Sequence, residues 1–249
     1  MSVETAAAQG DGAEISQALD RLAAGCRILE MEGHASRILG HASLRDPLGR
    51  GLWLKRWGIS FGETMGAADF VLVDFDGNQL AGDGKSPSEW PIHAGVLKAR
   101  ADVVAVVHSH PFYGRVFSAV TDPLLPVSNT GNWFPAPPPR FEMTSELIRT
   151  IDQGDALARA LGDNMAVFLR NHGVVFCGGS IEQAILMGVQ LEEACREHLL
   201  IASTSLNWDA PGDEERARKY KGAGSPKSLK ASFDFFVREL ARRDGGGRG

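Results

Sequence analysis

The stretch Ala101-Asp102-Val103-Val104-Ala105-Val106-Val107-His108-Ser109-His110-Pro111 is an apolar run that ends in a His-x-His pair. A short apolar run bounded by polar residues reads as a buried strand. Side chains two apart on a strand share a face, so His108 and His110 can reach one metal ion together. A second apolar run, Met165-Ala166-Val167-Phe168-Leu169, leads into Asn171-His172-Gly173. Two strands of one domain, each followed by histidine, can place three imidazoles around a divalent cation. Three protein ligands with an open position is the pattern of a catalytic metal site rather than a structural one.

Working outward, helix-like and strand-like segments alternate. Ile15 to Met31 repeats apolar residues at helical spacing and is closed by Gly33. Trp53–Lys55 and Phe70–Asp74 read as strands, the second followed by a hairpin turn at Asp76-Gly77-Asn78. A helix is expected over Ser88–Arg100, capped by Ser88, with Pro91 in its first turn. Val103–His108 is a strand and Pro111–Ala119 a short helix. Residues 121–140 form a Pro-rich loop containing Trp133 and Phe134, long enough to suggest a role in the site. Glu146–Leu161 is helical, with Gly154 a candidate break. Strands follow at Met165–Arg170 and Gly173–Cys177, then a long helix at Ile181–Ala202 and an amphipathic one at Ser228–Arg242. The expectation is one α/β domain over residues 13–244, three layers α/β/α, around a central mixed and mainly antiparallel sheet. Residues 1–12 and 245–249 are expected to be disordered, from their small, polar and Gly-rich composition.

Bulk composition narrows the function. The chain has 249 residues, 43% hydrophobic and 23% charged, which fits an ordinary globular protein. Its net charge of −5 is spread without long blocks of one sign and gives no support to nucleic-acid binding. The longest apolar stretches fall far short of the roughly 20 residues that span a bilayer. Met1 to Gly12 lacks the form of a secretory signal. Cys26, Cys177 and Cys195 are odd in number and form no CxxC, so buried thiols in a cytoplasmic protein are expected.

Glu89, in Ser86-Pro87-Ser88-Glu89-Trp90, opens the helix that leads into the His-x-His strand. A carboxylate beside an open-sited metal can serve as a fourth ligand or as an acid/base. Taken together, Ser88-Glu89-Trp90-Pro91-Ile92-His93, the segment 101–111 and Asn171-His172-Gly173 resemble the signature of the class II aldolase/adducin family, in its order, over about residues 15–205. The resemblance implies an α/β/α fold and one divalent metal ion per subunit held by His108, His110 and His172. It also implies Glu89 as catalytic carboxylate and a homotetramer with the site between subunits. Three imidazoles suit Zn, Mn, Fe, Co or Ni, with Zn or Mn expected.

The sequence departs from the family pattern where sugar-phosphate aldolases bind phosphate. Gly40-His41-Ala42-Ser43, Trp57-Gly58 and Pro87-Ser88-Glu89 replace Gly-Asn-x-Ser, Thr-Gly and Ser-Ser-Glu. Two small polar donors become imidazole and indole. Trp57 offers a flat face for stacking on a ring, and His41 and Arg45 can pair with a carboxylate. Tyr113 and Arg115 follow the His pair. The expected substrate is a small carboxylate, with Arg45, Trp57, Ser88, Tyr113 and Arg115 binding it and Glu89 or His41 moving the proton. The leading expectation is a metal-dependent carbon–carbon lyase that decarboxylates a hydroxylated aromatic or heteroaromatic carboxylate in a catabolic pathway. The same motifs also suit an aldolase, epimerase or dehydratase of sugar phosphates, and, less well, a non-catalytic adducin-like scaffold.

Overall fold

The strand Ala105–Ser109 (β5) faces two different environments. Ala105 and Val107 enter an apolar cluster on one side of the sheet, while Val106 enters a second cluster on the other. A strand covered on both faces must be apolar throughout, which is why this segment reads as a continuous run rather than an alternation.

The computed structural model describes residues 3–246. The elements are α1 (Val3–Met31), β1 (His41–Arg45), β2 (Leu52–Lys55), β3 (Phe70–Val73), β4 (Gln79–Ala81), α2 (Trp90–Ala99), β5, α3 (Phe112–Phe117) and β6 (Arg140–Phe141). They continue with α4 (Ile151–Leu161), β7 (Ala166–Leu169), β8 (Gly173–Gly178), α5 (Ile181–Ala202), α6 (Asp213–Ala223) and α7 (Pro226–Gly246). One eight-stranded sheet runs in the order β4-β3-β2-β1-β5-β8-β7-β6. All neighbours pair antiparallel except β6 and β7, which are parallel. The layer on one face holds α1, α5 and α7, through Leu22, Leu29, Ile185 and Phe233. The layer on the other holds α2 and α4, through Ile92, Val96, Leu157 and Leu161. This is the expected three-layer α/β/α domain with a mixed, mainly antiparallel sheet.

Several boundaries differ from expectation for identifiable reasons. Helix α1 begins at Val3, so residues 3–12 continue a helix where disorder was expected. Glu4 and Ala6 to Ala8 are good helix formers, and extending a helix that already exists costs little. Residues 1–2 and 247–249 lie outside the described residues, and α7 runs to Gly246 rather than stopping at Arg242. Helix α2 starts at Trp90 with Glu89 at its N-cap, and neither Ser88 nor Glu89 caps it through a side chain. The helix expected from Glu146 starts at Ile151, capped by Thr150 and Gln153, and Gly154 does not break it. The Pro-rich loop is tied to the core: Leu124 and Phe134 are buried in it, and Leu125 N–H donates to His198 Nδ1 of α5 at 3.1 Å. Strands β1, β4 and β6 and helix α6 were not expected.

Gly154 and Gly95 let α4 and α2 touch backbone to backbone. A Cβ at Gly154 would lie 2.3 Å from the Pro91 carbonyl oxygen, and one at Gly95 would lie 2.4 Å from the Gly154 carbonyl oxygen. Alanine is the better helix former by up to about 1 kcal/mol. Overpacking a rigid backbone contact costs typically about 1–3 kcal/mol. Gly154→Ala is therefore expected to destabilise the protein in urea unfolding despite its higher propensity. A stabilised variant would contradict the close contact.

Candidate active site

The site forms where the C-terminal end of β5, the start of β1 and the β7–β8 turn meet. His41 lies directly across from His108 in the β1–β5 register, so the two side chains share a face. His110 follows two residues on. His172 arrives from the turn between β7 and β8, where Asn171 takes the left-handed conformation (φ 55°). Asparagine tolerates that conformation better than most residues. Ligand atoms of His108, His110 and His172 lie within 4.8 Å of one another, and those of His41, Glu89 and His108 do likewise.

The histidine chemistry fits a cation. His108 Nδ1 lies 3.0 Å from the Val174 carbonyl oxygen, which can only accept, so Nδ1 carries the proton and Nε2 the lone pair. Nε2 of His108 and Nδ1 of His110 are buried with no hydrogen-bond partner. An unsatisfied buried polar atom costs about 1–3 kcal/mol, and a divalent cation at His108 Nε2 would relieve that atom. A ligating histidine bonded through its other nitrogen to a backbone carbonyl is the usual support for such a site. Burial, reinforced by the neighbouring histidines, pushes His108 well below its ordinary pKa and His110 down to about 4. Burial also lowers His172, against the pull of Glu89. The rings are therefore neutral ligands at neutral pH.

Glu89 is buried opposite them. Its Oε1 accepts from Ile148 N–H at 3.0 Å and lies 4.0 Å from His172 Nε2. Its Oε2 lies 3.8 Å from both His41 Nε2 and His108 Nε2. Burial opposes ionisation of Glu89, but hydrogen bonding and charge from His41, with His172 and Ile148 N–H, more than offset it, and its pKa falls below the usual value. A cavity of about 410 Å³ opens onto this cluster. It is lined by Trp57, Ser88, Glu89, His41, His110, Arg115 and His172, which were expected, and by Lys55, Leu147 and Arg149, which were not. A larger apolar hollow of about 630 Å³, bounded by Ile15, Leu19, Trp53 and Phe70, contains none of these histidines. The titratable groups His41, Glu89, His110 and His172 all face the smaller one.

Two expected residues are elsewhere. Arg45 does not reach the cavity. Its guanidinium donates to the carbonyls of Leu97 (2.7 Å), Arg100 (2.8 Å) and Val103 (3.0 Å), closing the C-terminal end of α2. Tyr113 turns toward α5, where Arg196 sits over its ring and Glu192 accepts its backbone N–H at 2.9 Å. Trp133 and Phe134 also line a different hollow. His93 and Ser43 lie behind His41 and were given no role from sequence. Their signal was spacing: His93 stands four residues after Glu89, and Ser43 two after His41.

Residues 20–199 match the model of the class II aldolase and adducin N-terminal domain. The chain belongs to the class II aldolase and adducin family. It is 34% identical over 206 residues to a 3,4-dihydroxyphthalate decarboxylase of Arthrobacter keyseri, covering 75% of this chain and 79% of that one. It is 28% identical over 177 residues to an L-fuculose phosphate aldolase of Methanococcus maripaludis, covering 69% and 90%. Its fold superposes on the L-fuculose 1-phosphate aldolase of Glaciozyma antarctica with a TM-score of 0.80 at 25% identity, covering 95% and 93%. With a decarboxylase and an aldolase among its relatives, the chain is a lyase of this family. No helix among the described residues is long and apolar enough to cross a membrane.

Two outcomes follow from the buried histidines. His110→Ala is expected to lose bound divalent metal and turnover together, read by elemental analysis of the purified variant. Full metal occupancy in that variant would sink the assignment. In metal-stripped protein, burial holds His34 down to about 3 and His110 down to about 4, against 6.5 when unfolded. As pH drops below 6.5 the unfolded chain takes up these protons first, so stability falls. Each such group is expected to remove about 1.4 kcal/mol per pH unit until its own folded-state value is reached. Urea unfolding between pH 6.5 and 5 measures the slope, and His34→Asn should make it shallower.

Proposed function

We propose that this protein is a metal-dependent decarboxylase of a hydroxylated aromatic or heteroaromatic carboxylate. The observation that carries the reading is the composition of the cavity wall. The indole of Trp57 is 58% exposed at the mouth. Arg115 and Arg149 line the same cavity, and neither has an ion-pair partner among the described residues. A flat apolar face beside unpaired guanidinium groups suits an aromatic acid. The relative that acts on dihydroxyphthalate supports the same class.

A divalent cation held by His108, His110 and His172, with Zn or Mn expected, would supply a Lewis acid to draw electron density toward a substrate oxygen. The chain's own residues do the rest. Trp57 stacks on the ring and Arg115 and Arg149 pair with its anionic groups. Loss of the carboxylate breaks a carbon–carbon bond, releases CO₂ and leaves the electron pair on the ring carbon. His41 Nε2 delivers the proton that replaces it, or Glu89, ionised at rest, relays one that it first takes from water, and water restores the proton used. Both groups face the cavity at the end where the ligands lie.

A second reading, aldol cleavage of a sugar phosphate, draws on the hydroxyls of Ser36 and Ser88 in the same wall, which can bind phosphate with the arginines. We also propose a cytoplasmic homo-oligomer, expected as a tetramer. The exposed apolar residues Ile38, Leu39, Trp57 and Leu147 gather at the cavity mouth and support a covering subunit there.

A substrate panel on the metal-loaded protein decides between the reactions. CO₂ release from ortho-hydroxy aromatic carboxylates is expected, with no cleavage of ketose or aldose phosphates. Turnover of the phosphates alone would overturn the decarboxylase reading. Stacking is worth about 0.5–1.5 kcal/mol, so Trp57→Ala should raise the KM for the aromatic acid by roughly 2- to 10-fold. An unchanged KM would remove the stacking argument.

A further inference from the structure

Behind His41 lies a line of three polar side chains. His41 Nδ1 is 2.6 Å from His93 Nε2, and His93 Nδ1 is 2.7 Å from Ser43 Oγ. Ser43 Oγ in turn lies 3.3 Å from the Val106 carbonyl oxygen. His93 and Ser43 are wholly buried, between α2 on one side and β1 and β5 on the other. Ser43 stands opposite Val106 in the β1–β5 register, on the same sheet face as His41 and His108.

Donor and acceptor counting orders the protons along this line. A carbonyl oxygen can only accept, so the Ser43 hydroxyl donates to Val106 and its lone pair faces His93 Nδ1. The Val106 carbonyl also faces the His93 ring. His93 Nδ1 therefore carries a proton. Complete burial disfavours a charged His93, so its Nε2 holds a lone pair. That lone pair, 2.6 Å away, takes the proton of His41 Nδ1.

We propose that His93 and Ser43 are positioning residues that hold His41 with its permanent proton on Nδ1, so that Nε2 is the nitrogen that exchanges a proton with substrate. This rests on the reading of His41 as a proton donor. Nε2 is the nitrogen that faces Glu89, at 3.8 Å. When His41 gives up its Nε2 proton to the ring carbon, the N–H electron pair stays on Nε2 as a lone pair. The Nδ1–H bond to His93 is unchanged. Water then returns a proton to Nε2, directly or relayed by the Glu89 carboxylate. Without the acceptor on His93, the imidazole is free to rotate about its side-chain bonds or to place its proton on the wrong nitrogen. A serine protease histidine behaves the same way when its orienting carboxylate is lost.

The test compares His93→Leu, which removes the acceptor, with His93→Gln, whose amide oxygen restores one, and with Ser43→Ala. In the zinc-loaded protein, long-range ¹H–¹⁵N spectra of the His41 ring report which nitrogen is protonated. The expected result is Nδ1–H in the wild type, a mixture of tautomers in His93→Leu, and recovery in His93→Gln. On the substrate that the panel identifies, His93→Leu should lower kcat by about 10- to 100-fold, as loss of supporting partners commonly does. KM and metal content should stay within about twofold, taking the wild-type fold as intact. Ser43→Ala, a smaller change, should move both readouts the same way and stands in if His93→Leu does not fold. An Nε2–H tautomer in the wild type would overturn the proposal, as would His93→Gln falling as far as His93→Leu. The spectra need no turnover, so an error in the proposed substrate leaves them decisive.

Discussion

The two-residue periodicity of β5 is the constraint on which the rest depends. Odd positions Ala105 and Val107 serve the core under α1 and α5, while Val106, His108 and His110 face the other way. Ser109, between the two histidines, points back to the first side and accepts contact from His34 at 2.9 Å. The strand therefore cannot shift by one residue without burying imidazoles in an apolar cluster and turning valines into the cavity. Pairing with β1 then places His41 beside His108, and the turn before β8 brings in His172.

Burial does the electrostatic work. His108 and His110 are kept neutral by desolvation, so their lone pairs are available without an external base. Glu89 also shifts down, but there burial works against the shift, and His41, His172 and Ile148 N–H hold it ionised. A carboxylate below its ordinary range and imidazoles below theirs, a few ångströms apart, form the kind of perturbed cluster that marks a candidate functional site.

Strong apolar signals were legible in the sequence. The run before His108, the run before Asn171 and the helix Ile181–Ala202 were placed correctly, and seven of the ten expected site residues line the cavity while His108 adjoins it. The failures have local causes. Strand β1 alternates His, Ala, Ser, Leu, Arg, a proper strand pattern, but its polar face packs on α2 instead of water and so resembled a loop. Arg45 looked free because the need to close the carbonyls of α2 appears only once the helix is set against the strand. Helix α6 has almost no apolar face, its only buried residue being Arg216, and periodicity cannot find it. Arg149 is far in sequence from the motifs, and only the fold brings it to the cavity, while Lys55, two residues before Trp57, read only as the end of a strand.

The segment before α4 has two duties that cannot be separated. Ile148 N–H anchors Glu89, and its immediate neighbours Leu147 and Arg149 form part of the cavity wall. Side chains at 147 and 149 are natural places for selection to retune what the cavity accepts. Any backbone movement that accompanies such a change, an insertion above all, is transmitted through one peptide to the buried Glu89 carboxylate. Substrate range in this lineage should therefore diversify by exchange of side chains at fixed loop length, with length changes confined to segments such as Thr204–Gly212 that touch no part of the site.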